Sequence, residues 1–422
     1  MSAVATTWRA NPWRRWVLEV LVGLALPLGI GLSQVHVWQP GPAIVYDWAA
    51  DELRTGRFRP LLYDDAYALQ AIADDTHGQA RDILSPTPPT MFVFIVPFQW
   101  LPDAASNAVW LGLDLLAPLL AVWLTLKAVR LPSLALAGVC ASLLFMSMPL
   151  WENNARGQVL HWQMVLCALA LYALSRGRDA LAGASLGWVF LLKLAGWPAW
   201  LVLALRARWR ALVWAAVAAG TVVLLSLPWV KVETWQFYLT TVLPRWVQAP
   251  VATVPAYQTV GAFWQHLLRF DPSLNPAPVA DRPRLAAALS AACTLALLGL
   301  TLFGLRRAPL LLAVSAGLVL TVVLAPIAEQ YHYLTAAPAL IVAGVEWYRQ
   351  GHRLAWGVLL ALAGWLMFWP LFYKDPRLAA GWLAVLAYPR LWGGLLLWGG
   401  LYALARGVPA PAQRWVAVTQ AV

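Results

Sequence analysis

The sequence predicts an all-α polytopic membrane protein, and three observations carry that prediction. Of its 422 residues, 61% are hydrophobic and only 12% are charged, with a mean hydropathy of +0.65. A soluble domain carries about a quarter charged residues, so this chain lacks the polar surface that a water-soluble protein of its size needs. Long apolar runs recur from end to end, whereas a transmembrane barrel shows weak alternating segments of about ten residues. Only helices and closed barrels satisfy every backbone group in lipid, so the spans are helices. A cytosolic enzyme, a nucleic-acid-binding module and a disordered chain are excluded. The net charge of +11 comes from arginines placed singly or in pairs at the ends of apolar runs, the pattern of cytoplasmic anchors.

In chain order, Arg14 and Arg15 precede the first apolar stretch, 16–38. It is longer than a signal-peptide core and has no small-residue cleavage site, so it reads as an uncleaved first helix behind a cytoplasmic N-terminus, 1–15. Further runs fall at 105–127, 132–150, 157–175, 208–229, 284–305, 308–325, 331–347, 354–372 and 390–406. Two segments are special. Residues 90–101 are short and contain Pro97; residues 180–206 are broken by Gly196 and Pro198.

Positive charge settles both. Lys127/Arg130, Arg176/Arg178, Arg206/Arg208/Arg210, Arg306/Arg307, Arg349/His352/Arg353 and Arg406/Arg414 should all face the cytoplasm. They do so if 90–101 dips in without crossing and 180–206 is a hairpin with its tip at Lys193 to Pro198. The result is a single integral membrane domain over 1–422, with about twelve transmembrane helices and a cytoplasmic tail, 407–422. Two large outer loops follow, 39–104 and 230–283. Shorter outer segments fall at 151–156, 326–332 and 373–389. Tryptophans gather near the span ends, at Trp13, Trp16, Trp38, Trp151, Trp209, Trp229 and Trp369, where an apolar body and a wet tip suit the headgroup region. Cys140, Cys167 and Cys293 sit inside apolar runs without metal spacing and read as small interior residues.

The first outer loop holds nine of the 19 carboxylates, Asp47, Asp51, Glu52, Asp64, Asp65, Asp74, Asp75, Asp82 and Asp103, against four arginines. Within it, 48–54 and 67–75 have apolar positions at three-to-four spacing, as helices lying on a membrane surface do.

Polar groups at the membrane edge are functional candidates by default. Asp47 directly follows the first helix. It is either the N-cap of 48–54 or a carboxylate placed to take a proton from an incoming hydroxyl. Asn154, Arg156, Gly157 and Gln158 form a polar turn at the start of a helix, where a guanidinium and backbone amides suit phosphate. Lys193 is the one charge between Asp179 and Arg206, either snorkelling or facing a ligand. His332, at the start of another helix, suits a phosphate or a sugar hydroxyl. Gln258 and Thr259 in the second loop are further sugar-binding candidates. Asp114, two turns into the second helix, would support the site from below, and Glu19 lies near the cytoplasmic end of the first. No phosphate-cradling glycine loop, metal helix or nucleophile elbow is present. No resident metal or cofactor is expected, leaving open a divalent ion shared between Asp47 and a lipid phosphate.

The order of these pieces carries a resemblance. A first helix leads to Tyr46-Asp47-Trp48, then Leu62-Tyr63, then the Pro-led segment Pro86-Thr87-Pro88-Pro89-Thr90-Met91-Phe92. Next come the turn Asn154 to Gln158, the helix with Lys193 and Pro198, Gln258-Thr259 and the late His332. This resembles the polyprenyl-phosphate-sugar-dependent glycosyltransferases of the C superfold, family 87 (DUF2029-type), over about 16 to 350. The sequence departs from that pattern at Leu160, two after Gln158, and at Tyr257, before Gln258.

The resemblance implies a C-superfold helical bundle in a bacterial inner membrane, with its site facing the periplasm. It implies transfer of a hexose or pentose, mannose-like, from a polyprenyl-phosphate donor to a hydroxyl on a lipid or glycan acceptor, with inversion. Asp47 matches the family's base. Lys193, His332 and Arg156 are expected to meet the lipid phosphate, and Gln158, Asn154, Gln258 and Tyr63 to line the donor and sugar site. Asp51, Asp64 and Asp65 stay open as helpers or replacements for Asp47. Two other classes fit a bundle with rare charges: a lipid-linked glycan transporter or flippase, whose charges usually lie near the midplane on discontinuous helices, and a glycan polymerase or ligase.

Overall fold

The computed structural model describes residues 12–80, 82–248, 253–351 and 354–407. The outer parts of the expected tails, 1–11 and 408–422 with Arg414, lie outside the described residues, as do Arg81, His352 and Arg353. Every regular element among the described residues is helical.

A long first helix, α1 (Trp16–Val37), is followed by α2 (Ile44–Arg54) and α3 (Asp65–Asp75), which lie in the first large loop. The short α4 (Pro89–Ile95) runs into a 3₁₀ turn, and α5 (Asp103–Ala128) follows. Then come α6 (Leu134–Phe145), α7 (Met148–Ala155), α8 (Leu160–Ser175), α9 (Asp179–Lys193), α10 (Trp197–Leu205) and α11 (Trp209–Val230). The second loop carries α12 (Val232–Phe237), α13 (Leu243–Gln248) and α14 (Val260–Leu268). The chain closes with α15 (Pro283–Gly304), α16 (Leu310–Val323), a 3₁₀ turn (Gln330–Ala336), α17 (Ala337–Arg349), α18 (Leu354–Phe368) and α19 (Pro389–Gly407).

Among the described residues, α1, α5, α11 and α15 are long and apolar enough to cross a membrane, and a fifth span arises if α6 and α7, bent by 65°, count as one. The apolar helices α8, α16 and α18 are shorter. Several sequence-drawn boundaries shift. The run 132–150 breaks at Met146–Ser147, where the Ser147 hydroxyl accepts from the Leu150 amide and caps α7. The run 331–347 begins as a 3₁₀ turn and becomes an α-helix only at Ala337. Asp47 does not cap α2: that helix starts earlier, at Ile44, which puts Asp47 in its first turn. Asp64 is the cap of α3, accepting from the Tyr67 amide at 2.9 Å. The expected break in 180–206 falls between α9 and α10, with Leu194 at φ 53° and Gly196 at φ 92°. Trp38 is buried and stacks on Phe145 at 6.4 Å between ring centres, whereas Trp13, Trp16, Trp209 and Trp369 are exposed as belt residues are.

Apolar helices gain little from burying greasy surface against one another in lipid, so close backbone approach through small residues holds them. Gly183 and Gly187 of α9 face Ala211 and Ala215 of α11 so tightly that an added Cβ would sit 1.9 and 2.6 Å from the two alanine carbonyl oxygens. Gly138 of α6 meets the Val22 carbonyl of α1 in the same way. A separate aromatic cluster of Phe58, Tyr63, Phe92 and Tyr238 packs α2 and α4 against the second loop. Its hydroxyls are satisfied by backbone: Tyr63 donates to Thr87 at 2.9 Å and Tyr238 to Pro86 at 2.8 Å.

Gly183→Leu should therefore destabilise by about 1–3 kcal/mol, the usual cost of overpacking, read as a lower Tm in detergent. Gly220→Leu in α11, whose Cβ would meet nothing within 4 Å, should leave Tm unchanged.

Candidate functional site

Four loop segments meet at one end of the bundle, here termed the site end: the α1–α2 link, the α7–α8 turn, the α9–α10 break and the stretch ahead of α17. The α7–α8 turn is the hub. The Gln39 amide donates to the Asn154 carbonyl at 3.0 Å, and the Ala43 amide to the Gly157 carbonyl at 2.9 Å. Gly157 has φ 58°, and a Cβ there would lie within 2.6 Å of backbone atoms of Gly41, Pro42 and Ala43. Only glycine fits both the conformation and the approach.

This docking sets Gln158 against α2. The Tyr46 hydroxyl donates to Gln158 Oε1 at 2.7 Å, and Lys193 Nζ reaches both the Tyr46 hydroxyl and, at 3.4 Å, the same Gln158 oxygen. The ammonium also lies 4.8 Å from the centre of the Tyr46 ring, in cation–π range. Lys193 ends α9, where the carbonyl-rich terminus favours a cation.

A second buried network underlies the turn. Asp114 Oδ1 lies 3.1 Å from His161 Nε2, and His161 Nδ1 lies 2.7 Å from Asn153 Nδ2. Asn153 accepts from the Leu160 amide through its side chain at 3.0 Å and from the Gln158 amide through its carbonyl at 2.8 Å. Asp114 lies three turns into α5 rather than two, because that helix begins at Asp103.

Two cavities join at Lys193, His332, Pro86, Leu194, Trp246 and Ile327. One is polar, lined also by Tyr46, Asp82, Gln158, Tyr257, Glu329 and Tyr331. The other is largely apolar, running past Leu160, Trp197, Leu243, Val322 and Ala325 between the ends of α8, α10 and α16. The pair has a wet chamber, a greasy one and a lone ammonium where they meet.

His332 lies in the turn ahead of α17, outside the helix. The Glu329 amide donates to its Nδ1 at 3.1 Å, which leaves the ring proton on Nε2. Burial, with Lys193 nearby, lowers its pKa to about 3. At neutral pH it is a neutral hydrogen-bond donor and not the second cation expected from the sequence. Arg156 pairs with Glu152 at 2.8 Å and with Glu329 at 3.6 Å, so its charge is matched at the rim of the polar cavity. Burial and then the Glu329 and Asp82 carboxylates raise the Tyr257 phenol above its ordinary value.

The structure thus brings Lys193, Gln158 and His332 together and sets Arg156 beside them. It does not bring in the rest of the expected set. Gln258 is fully buried: its side chain donates to the Pro255 and Ala387 carbonyls and accepts from the Arg390 amide. It ties the second loop to α19 instead of lining either cavity. Asn154 is buried, accepting from Asn153 at 2.9 Å, and Tyr63 belongs to the aromatic cluster. Asp47 accepts from Gln99 and lines neither cavity; burial, then Asp103 and Asp51, raise its pKa. Asp51 pairs with Arg54 and Arg57. Asp82, Glu329, Tyr46 and Tyr331 are the lining groups that sequence reasoning did not select. Glu329, three residues before His332, reads in the sequence as part of a polar turn and gives no signal of its own. Among the described residues no group of three His, Cys, Asp or Glu side chains has the geometry to hold a metal ion.

The fold and the site define a membrane protein with a two-part cavity at one end of a helical bundle. The chain matches the family model of glycosyltransferase family 87 over residues 87–328, more than half its length. It belongs to that family and is a membrane glycosyltransferase. No curated protein and no solved structure matches it.

Gly157→Ala should undo the hub. A non-glycine residue in such a conformation costs about 1–3 kcal/mol, and the backbone contact forbids the turn from staying in place. Turnover should fall tenfold or more, with the helical circular dichroism retained.

Proposed function

We propose that this protein transfers a sugar from a polyprenyl-phosphate donor to an acceptor hydroxyl, with inversion, at the outer face of a bacterial inner membrane. The observation that carries the reading is the junction at Lys193. An apolar channel and a polar chamber meet at a lone ammonium, and a prenyl chain, a sugar and the phosphate between them are the ligand parts that match those three environments.

In this reading the site end faces the periplasm and the arginine-rich ends of the bundle face the cytoplasm, in the twelve-span topology drawn from positive charge. Lys193 neutralises the lipid phosphate as negative charge builds on it. His332 Nε2–H donates a hydrogen bond beside it, and Tyr46 and Gln158 hold the ammonium in place. The acceptor oxygen attacks the anomeric carbon as the bond to the phosphate oxygen breaks, and a lipid monophosphate leaves. The sugar is a mannose-like hexose or a pentose.

The acceptor's proton needs a carboxylate. Asp47 is our first assignment, from its place in Tyr46-Asp47-Trp48, and it acts once the Gln99 contact opens. A second reading has its own support: Glu329 already lines the polar chamber. A transporter would need no base at all.

Purified protein in nanodiscs, given a panel of labelled polyprenyl-phosphate sugars, tests all of this. Wild type should release or transfer sugar from one of them, and Lys193→Met should lower kcat by 100-fold or more, about 2.7 kcal/mol. Asp47→Asn should abolish transfer while Glu329→Gln retains it; the reverse result moves the base to Glu329. Saturable donor binding without release by wild type would favour the transporter.

The base must be ionised to work. With the Asp47 pKa raised by burial, Asp103 and Asp51, kcat/KM should fall as pH drops through a value above that of an ordinary aspartate. Turnover is expected to persist in chelator; its loss would reveal a divalent ion at the phosphate.

A further inference from the structure

Beneath the α7–α8 turn, α5 and α8 bury an acid and an imidazole against each other. Asp114 is 1% exposed and His161 is fully buried. Such a pair needs a reason, because two apolar side chains of similar volume would pack there with no charge or dipole to desolvate.

The direction of each hydrogen bond around it follows from one backbone amide. The Leu160 N–H donates to the Asn153 side chain at 3.0 Å. A backbone N–H only donates, so the atom it meets is the amide oxygen, and the Asn153 NH2 faces the other way. The two NH2 hydrogens go to Asn154 Oδ1 at 2.9 Å and to His161 Nδ1 at 2.7 Å. An NH2 accepts nothing, so Nδ1 is bare and the ring proton sits on Nε2. That nitrogen lies 3.1 Å from Asp114 Oδ1. The two are off the line of an ideal hydrogen bond, and among the described residues neither atom has another partner. Buried polar atoms are normally paired, so these two answer each other.

Helix α5 holds the ring at two points. Trp110 stands one turn before Asp114, on the same face. Its indole meets the His161 ring edge to face, 6.2 Å between centres at 88°. Trp110 sets the plane of the ring, and Asp114 sets which edge faces α5.

Asn153 carries this order outward. Its carbonyl accepts from the Gln158 amide at 2.8 Å while its side chain holds the Leu160 amide. Gln158 Oε1 then receives the Tyr46 hydroxyl at 2.7 Å and Lys193 Nζ at 3.4 Å. One chain of contacts therefore runs from the interior of α5 to the ammonium: Asp114, His161, Asn153, Gln158, Lys193. The Gly157 contact pins the turn to α2, and this chain pins the same turn to α5.

We infer that Asp114 and His161 are positioning residues for sugar transfer. They line neither cavity of the site and act through Asn153 and Gln158, which keep Lys193 at the junction. What α5 supplies is an acceptor oxygen for Nε2–H, and a negative charge at position 114 is not required. The inference rests on the Lys193 reading above, and its test separates the two.

Two measurements on the full chain in nanodiscs decide it. The first is kinetic. Asp114→Leu, which removes the acceptor, should lower kcat tenfold or more and leave the donor KM within twofold, the pattern of an interaction realised in the transition state. Asp114→Asn, which keeps an oxygen for Nε2–H, should stay within threefold of wild type. In a Gln158→Ala background, Asp114→Leu should cost less than a further twofold, because the chain is already cut and coupled residues are not additive. A further tenfold loss there, or an Asp114→Asn protein as slow as Asp114→Leu, would overturn the inference.

The second needs no donor and no variant at position 114. Nitrogen NMR spectra of histidine-labelled protein, with His161 assigned by its loss in His161→Gln, should show an imidazole protonated at Nε2 alone. A ring protonated at Nδ1, or at both nitrogens, would overturn the chain. Full turnover by Lys193→Met with the Nε2–H ring in place would sink the Lys193 reading and keep the order of the buried chain.

Discussion

A lysine ammonium inside a helical bundle needs polar company, and supplying it organises the site end of this protein. Lys193 closes α9 just where the helix breaks, so its side chain meets a loop and not another span. Gln158 and Tyr46 supply the oxygens that hold it. Gln158 is there because the α7–α8 turn docks on the start of α2, and that docking needs Gly157, whose missing side chain lets two backbones touch. Removing any one step leaves a desolvated charge or an unpaired amide, and a low-dielectric interior penalises both. Three segments distant in sequence are therefore held to one geometry by a lone charge and a glycine.

Legibility from sequence followed the reach of the forces. Helix existence was readable, because a run of apolar residues long enough to leave water announces itself locally; α1, α5, α11 and α15 end within two residues of where composition put them. The break after Lys193 was readable for the same reason, from Gly196 and Pro198. The bend at Ser147 was not, since a serine in an apolar run can as easily bond back to its own helix as cap the next. Among polar residues, Lys193, Gln158 and His332 stood out by rarity and do meet. Gln258 was equally rare, but rarity does not say whether a buried amide faces a ligand or three backbone groups. Glu329 was hidden by context: beside Gln330, Tyr331 and His332 it reads as part of a polar turn. Only the fold shows that Glu329 lines the polar cavity beside Lys193.

The shortness of α8, α16 and α18 has a physical counterpart. A helix that stops early leaves unsatisfied carbonyls or amides at its end, and in hydrocarbon those groups must find partners in protein or in a water-filled cavity. Here they meet loops that carry the polar side chains: the 3₁₀ turn before α17, the Asn154–Gln158 turn and the break after α9. Short helices and a polar pocket at their ends are one solution to one problem. The pocket wets the helix ends, and the helix ends justify the pocket.

Electrostatic matching at the rim sets the remaining constraint. Arg156 is already neutralised by Glu152 and Glu329, and His332 is held neutral by burial beside Lys193. Of the three cations that sequence reasoning assigned to the phosphate, one is left with uncompensated charge. A single ammonium suits a phosphodiester, which carries one negative charge, better than three cations would, because the excess would hold the ligand by charge alone and resist its exit. In the proposed reaction, the monophosphate that departs when the bond to the sugar breaks would gain a second negative charge. Under that proposal Lys193 would face more charge in the transition state than in the bound donor, which is the direction in which binding energy accelerates a reaction.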